Sequence, residues 1–398
     1  MSVRPLRIAL FTGNFGYTRD GATQALGRLV DHLRQVERAE VRIYSPTSPE
    51  ADLPEGLVPI PSIALPGRRE YRLGLGLNAA AKKDITAFAP DVFHLATPDL
   101  VGFQAQRLAR QLGRPLIASL HTRFETYLAY YGLGFLEPAL ERRLQDFYRR
   151  CDCVLAPTPA TAQHLSQSGL RGRVRIWSRG VDRTQFDPTR RDVDWRRAHG
   201  FADSDFVVLF FGRLVLEKGL AVFADAFDRL RQGRRDVRAL VVGDGPARAW
   251  MAQRLPDATF TGFLAGPELG RAVASADVLL NPSATEAFGN VNLEAMASGL
   301  PIVCGDLPSS RFLIKDEQTG LLCAAGEPQA YAEALHRLLV RPAWRARLGA
   351  TAHAASRAYS WEAALASVVE AYRDALRTHP APAAPVVRRG VPVLARGF

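Results

Sequence analysis

Two carboxylates with seven residues between them, Glu286 and Glu294, bracket the stretch of this chain with the most chemistry in it, Glu286-Ala-Phe-Gly-Asn-Val-Asn-Leu-Glu294. The apolar run Ala276–Ser283 ahead of it reads as a buried strand ending in a polar turn. After it, Val291, Leu293, Met296 and Leu300 recur at helical spacing, with Gly299 as a stop. Glu286 therefore falls in a loop at the C-terminal mouth of a strand, and Glu294 in the first part of a helix. Between them, Phe288, Gly289 and Asn290 bring backbone N–H groups to a helix N-terminus, where anions bind. A carboxylate accepts paired hydrogen bonds from a vicinal diol. Two such acceptors around an anion cradle suit a diphosphate with sugars on both sides, which is a nucleotide sugar.

A second cluster supplies positive charge. Phe206–Gly212 reads as a strand buried on both faces, and it runs into Arg213-Leu-Val-Leu-Glu-Lys218-Gly219. Arg213 through its planar fork and Lys218 as a point charge can hold two diphosphate oxygens. Of the 51 basic residues all but Lys82, Lys83, Lys218 and Lys315 are arginine, so a lysine here stands out. His121 closes the strand-like run that starts at Leu116, at the edge where α/β folds place their sites. Gly21 ends the turn Gly13–Gly21 between a first strand, Leu6–Phe11, and a helix over Gln24–Leu33. Lacking a Cβ, it allows close approach to a phosphate.

These elements belong to an alternation of short apolar strands and helical stretches, with further strands at Val41–Tyr44, Val92–Leu95, Cys153–Ala156, Ala239–Val242, Phe260–Leu264 and Gly320–Cys323. Alternation of this kind predicts an α/β protein with parallel sheets, and 398 residues make two or three domains. Gly243-x-Gly245 lacks a dinucleotide fingerprint, because Pro246 intervenes and Arg248 stands where a third glycine is needed. Asp192-Val-Asp194 reads as a helix cap rather than a metal motif. Cys151, Cys153, Cys304 and Cys323 have no zinc-type spacing and read as reduced thiols.

The formal charge of +11 fits nucleic acid, an anionic membrane or anionic substrates alike. Without a helix-turn-helix or RNA-binding module the nucleic-acid reading has no motif behind it. Ile8–Phe11 is too short for the core of a signal peptide, and no apolar run is long enough to span a bilayer. The expected location is the cytoplasm. Arg68, Arg69, Arg72, Arg142, Arg143, Arg149 and Arg150, interleaved with Tyr71, Phe124, Tyr127, Tyr130 and Tyr131, form a basic, aromatic surface that fits peripheral contact with the inner face of the plasma membrane as well as it fits solvated helix faces.

The motifs resemble those of retaining GT-B glycosyltransferases, in particular glycosyltransferase family 4. The Glu286-x7-Glu294 loop with its trailing Ala-Met-Ala-Ser-Gly-Leu-Pro301, the Gly-Arg213-Leu…Glu-Lys218-Gly219 segment, the Gly180-Val-Asp182 turn and Asp20-Gly21 carry the likeness, which extends to about residue 377. Asp20-Gly21 departs from the family's more usual Gly-Gly. The resemblance implies two Rossmann-like domains facing each other, an acceptor-side domain over 1–190 and a nucleotide-sugar domain over 191–360. It also implies a helix over 361–377 crossing back to the first domain, while the Pro- and Ala-rich stretch 378–398 reads as a disordered tail. By the same resemblance Arg213, Lys218, Glu286 and His121 serve catalysis. Gly21, Phe288, Gly289, Asn290, Val291 and Glu294 bind the donor, Phe263 borders its base, and neither a metal nor another cofactor is required. The loop and the His121-Thr…Tyr131-Gly132 segment are most similar to GDP-mannose-dependent α-mannosyltransferases and sulfoquinovosyl diacylglycerol synthases. GDP-mannose with a lipid or glycan acceptor is the expectation, a UDP-glucose, UDP-glucuronate or UDP-sulfoquinovose donor the alternative. A nucleotide-sugar 2-epimerase shares the architecture, but its acid/base pattern is absent.

Overall fold

The computed structural model describes residues 4–16, 20–47, 53–65, 68–123, 126, 128, 130, 132–170 and 173–379. The stretch from 380 onward, Phe124, Tyr127 and Tyr131, and the side chains of Arg68 and Arg69 lie outside the described residues.

Two parallel sheets carry the molecule. The first contains β1 (Arg7–Phe11), β2 (Glu40–Pro46), β3 (Leu57–Ile60), β6 (Val92–Leu95), β7 (Leu116–Ser119), β8 (Cys153–Ala156) and β9 (Val174–Ile176), in the order β3-β2-β1-β6-β7-β8-β9. The second contains β10 (Phe206–Phe211), β11 (Val237–Val242), β12 (Thr259–Gly262), β13 (Val278–Asn281), β14 (Ile302–Gly305) and β15 (Gly320–Cys323), in the order β12-β11-β10-β13-β14-β15. Period-two alternation splits each strand between two cores. In β1, Ile8 and Leu10 face one layer while Ala9 and Phe11 face the other. In β10, Phe206, Val208 and Phe210 oppose Val207 and Leu209 in the same way.

Strand order reverses beside β1 in the first sheet and beside β10 in the second. A crevice opens at the carboxyl ends of strands where the order reverses, which is where such sheets bind ligands. The loops after β1, β10 and β13 all lie there. The sequence reading placed β1, β10 and β13 to within a few residues and did not anticipate β3, β9 or β14, and the helix after β13 is shorter than expected. It spans Asn290–Ala297, and Gly299 (φ +78°) turns the chain away before Leu300.

An antiparallel hairpin, β4 (Ser62–Leu65) with β5 (Arg68–Gly74), was not anticipated. Its arginines had been grouped with solvated helix faces or a membrane surface. Instead Arg72 lies in a strand and donates to Ser62 Oγ (2.9 Å) and Ser62 O (3.0 Å), while its backbone N–H donates to Asn14 Oδ1 (2.9 Å).

The last described helix, Trp361–Thr378, returns to the first sheet. Ser360 caps it through Ala363 N (3.2 Å), and Leu365, Val368, Val369, Tyr372 and Ala375 join the core that contains Ile8, Leu10 and Ile117. Ser367 Oγ donates to Ile176 O at 3.0 Å. Where the chain passes Gly180, an added Cβ would overlap the Trp361 backbone, so only glycine fits there.

Candidate active site in the inter-domain cleft

The wall of the cleft formed by the second sheet is built from two adjoining loops. Asn281 at the end of β13 donates through Nδ2 to Asn292 Oδ1 (2.8 Å) and accepts from Ser283 N (3.2 Å), tying the strand end to the helix start. Gly289 caps that helix at φ +93°, a conformation that favours glycine. The hydroxyls of Ser283 and Thr285 donate to Glu217 O (3.3 and 3.2 Å), which clamps this loop to the one after β10. Gly219 (φ +72°) ends the second loop, and an added Cβ would sit 2.9 Å from Pro282 O. Within this frame Lys218 Nζ lies 2.6 Å from Glu286 Oε1. Phe288 is buried among Phe312 and Tyr359, so only its backbone faces ligand space. Val291 packs partly into the same core, and Phe263, just after β12, is half exposed.

The helix Gly21–Gln35 of the first half stands opposite. Asp20 caps it, with Oδ1 accepting from Thr23 N at 2.8 Å. A Cβ at Gly21 would overlap Asn290 Nδ2, so the N-termini of two helices from different domains meet here. Farther along, burial pushes the Glu294 carboxyl up to about 7, and the charge of Arg28 partly opposes the shift. Arg28 is held by Asp182 Oδ2 (3.1 Å) and lies 5.1 Å above the Trp361 ring. Gly21 and Arg28 thus face Asn290 and Glu294 across the gap.

Arg213 is also held from the opposite domain. Its Nη1 donates to the hydroxyl of Tyr71, its guanidinium lies 5.0 Å above the Tyr71 ring, and the Tyr71 hydroxyl donates to Asp20 Oδ2 (3.1 Å). Arg213 Nη2 is buried, and no described residue accepts from it.

His121 sits at the end of β7, in a chain whose direction is fixed by its first member. Arginine only donates, so Arg179 Nη2–H donates a hydrogen bond to His121 Nδ1 (2.9 Å), and Nε2–H of His121 donates to Ser119 Oγ (2.8 Å). The Ser119 hydroxyl then donates to His94 Nε2 (2.8 Å), and His94 Nδ1–H reaches the hydroxyl of Tyr372 in the return helix. Desolvation pushes His94 down to about 3 and His121 well below its ordinary value, Arg179 adding to the latter, so both rings are neutral. Burial lowers Arg179 to about 10. With both nitrogens committed, His121 can meet a sugar hydroxyl only by sharing or exchanging a partner.

The structure therefore gathers Gly21, Arg213, Lys218, Glu286, Gly289, Asn290 and Glu294 at one crevice, with His121 on the same edge of the first sheet. Sequence reasoning missed Tyr71, Ser119, His94, Arg179 and Tyr372. Ser119 and Arg179 lay beside quoted motifs, in Ser119-Leu-His121 and Arg179-Gly-Val-Asp182, but nothing local said that they would meet. Among the described residues no three His, Cys, Asp or Glu side chains converge as a metal site would require.

Two Rossmann-like domains that close their strand ends on one crevice define the GT-B class. The fold is shared with a sucrose-phosphate synthase from Thermosynechococcus elongatus, at TM-score 0.77 and 21% identity over 94% of this chain and 100% of that one. Residues 19–185 match Glycosyltransferase Family 4 and residues 205–341 match Glycosyl transferases group 1. A GDP-mannose-dependent alpha-mannosyltransferase of Mycolicibacterium smegmatis is 34% identical over 327 residues, 80% of this chain and 84% of that protein. Sulfoquinovosyl transferase SQD2 of Arabidopsis thaliana is 29% identical over 376 residues, 92% of this chain and 73% of that one. The chain belongs to glycosyltransferase family 4 and is a hexosyltransferase.

Proposed function

We propose that the protein transfers a hexosyl unit, mannose from GDP-mannose in the first instance, to a lipid acceptor with retention at the anomeric carbon. The observation that carries the reading is that Arg213, linked through Tyr71 and Asp20 to the Gly21 helix start, and the loops that bear the Lys218–Glu286 pair both adjoin the Gly289–Asn290 helix start, while no described residue accepts from Arg213 Nη2. Arg213 and Lys218 neutralise the diphosphate as the C1–O bond to phosphate breaks, which stabilises charge where it develops. Lys218 holds Glu286 toward the donor-sugar hydroxyls, and Glu294 accepts from the ribose diol. The acceptor hydroxyl forms the new C1–O bond on the face the phosphate leaves, and its proton passes to the departing phosphate oxygen. No step is assigned to a metal. The GDP-mannose-dependent relative supports mannose, and the names of two further relatives, an alpha-monoglucosyldiacylglycerol synthase and a phosphatidyl-myo-inositol mannosyltransferase, support a glycolipid product.

The acceptor side supports a membrane-facing orientation. Leu133, Phe135 (76% exposed) and Leu136 project just ahead of the helix Glu137–Arg149, which carries Arg142 and Arg143. Ile63, Leu65 and Leu73 of the hairpin are exposed too. Apolar projections with adjacent arginines suit shallow insertion into an anionic leaflet. No described helix is long and apolar enough to cross a membrane.

The test is turnover of GDP-mannose, UDP-glucose, UDP-glucuronate and UDP-sulfoquinovose, each with diacylglycerol or ceramide vesicles, beside Glu286→Ala. Mannolipid from GDP-mannose, lost in the variant, is the expected result. Glycolipid from a UDP-sugar instead would reassign the donor. Glycosylation of soluble sugars alone would remove the lipid acceptor from the proposal.

A further inference from the structure

Among the groups that the functional reading leaves without a role is a tyrosine that bridges the cleft. Tyr71 projects from β5 of the hairpin and lies between Asp20 at the first helix cap and Arg213 on the opposite domain. We infer that Tyr71 is a positioning residue for the transfer, aiming the free edge of Arg213 at the donor diphosphate and linking the hairpin to the nucleotide-sugar domain. The inference rests on the proposed diphosphate site.

Hydrogen-bond polarity makes the arrangement directional. Arg213 has only donors, so the Tyr71 oxygen must accept from it, and the hydroxyl proton must go elsewhere. Asp20 Oδ2 takes that proton, while Oδ1 of the same carboxylate is spent on the helix cap at Thr23 N. Both carboxylate oxygens are thereby committed, and the Tyr71 oxygen accepts from the guanidinium. Stacking of the guanidinium on the ring at 5.0 Å fixes its plane. With Nη1 pinned and the plane set, Nη2 is the edge left over. It is buried, and no described residue accepts from it. An unpaired buried N–H is costly, and an incoming anionic oxygen relieves that cost. Close by, Gly21 meets Asn290 across the same gap, so a diphosphate seated there touches both domains at once. Arg213 holds it from one side and the Gly21 helix start from the other.

The test is calorimetric binding of GDP and UDP, with donor kinetics, for the full chain and three substitutions. Tyr71→Phe keeps the ring beneath Arg213 and removes the hydroxyl. It should weaken nucleoside-diphosphate binding about tenfold and raise the donor KM by a similar factor with kcat little changed, because Arg213 grips the diphosphate before and during transfer. Asp20→Asn keeps an oxygen for the helix cap but puts an N–H donor where the Tyr71 proton was accepted, and should give the same KM effect. In an Arg213→Ala background there is nothing left to aim, and adding Tyr71→Phe should change binding by less than about twofold. Unchanged KM and affinity in Tyr71→Phe would overturn the positioning role alone, as would an equal loss in both backgrounds. If the unsubstituted protein binds neither GDP nor UDP, the diphosphate site falls, and this inference with it.

Discussion

The two walls of the cleft are made in different ways. On the second-sheet side, Arg213 to Gly219 and Glu286 to Glu294 are short continuous segments, each shaped by its own glycine and clamped by bonds from Ser283 and Thr285 to Glu217 O. On the first-sheet side, Asp20, Tyr71, His121 and Arg179 come from four separate parts of the chain, and His121 is steadied through Ser119 and His94 from the return helix. The first wall is local and, in the proposed reaction, carries the charge for chemistry. The second is assembled over long range and carries the geometry. Substitutions in the first should therefore cost turnover, and in the second affinity or stability.

Lys218→Ala should show the largest effect. It removes a cation from the proposed diphosphate site and leaves Glu286 without the partner now 2.6 Å away. A loss of about 10³ in kcat is expected, the scale for removing a preorganised charge-stabilising donor, with the unfolding midpoint little changed. Single-turnover rates with saturating donor measure it. If kcat holds and only KM rises, charge development is handled elsewhere and the contrast between the walls collapses.

Gly21→Ala comes next, because it probes the point where the walls touch. The added methyl would overlap Asn290 Nδ2, forcing the domains apart at the proposed diphosphate site. Displacement of reacting groups by about 1 Å can cost about a hundredfold, so a fall of about 10- to 100-fold in kcat/KM for donor is expected. The same methyl in an Asn290→Ala background should cost much less. An equal cost in both backgrounds would mean that the two helix starts do not meet when donor is bound.

Ser119→Ala tests the long-range wall. It strands the Nε2–H of His121 and Nε2 of His94 together, and each orphaned buried group costs about 1–3 kcal/mol. The expected outcome is a clear drop in stability to urea, with less than about a tenfold change in kcat. A large kcat loss without destabilisation would move His121 from scaffold to chemistry.

The same contrast explains what could be read from the sequence. Glu286, Glu294, Arg213 and Lys218 were legible because strand, glycine and charged residue follow one another within a few positions, so spacing alone aims the side chains. The parallel sheets were legible for a related reason, since runs such as Phe206–Phe211 are buried on both faces. The Tyr71 bridge was not. A tyrosine among arginines looks like surface, and only the hairpin, whose register shifts between Ala64 and Leu65, brings it to Asp20 and Arg213. The histidine chain was hidden because His94 lies inside β6, where an apolar neighbour pattern gives no hint that Tyr372, far along the chain, will supply its partner.

The smallest effect separates the walls by pH. In the proposed donor pose the ribose diol donates to Glu294, so donor would bind the ionised carboxylate, yet burial holds that carboxyl up to about 7. Donor affinity should rise with pH up to about 7 and level off above, by at most about tenfold per unit, and Glu294→Gln should flatten the curve. Stability follows the opposite sign. Between the ordinary carboxylate range and about 7 the folded chain keeps a proton on Glu294 that the unfolded chain releases, so this group's contribution falls as pH rises. His94 and His121 work against it, because they stay neutral in the fold while unfolded imidazoles protonate below about 6.5. Their contribution is present above that value and is lost as pH falls. Urea midpoints for the unsubstituted protein and Glu294→Gln across this range should therefore diverge toward neutral pH, where only the unsubstituted protein carries the buried negative charge. Midpoints that stay parallel would mean the Glu294 carboxylate already has a partner in solution, and the ligand-facing wall would be as fully satisfied as the one opposite.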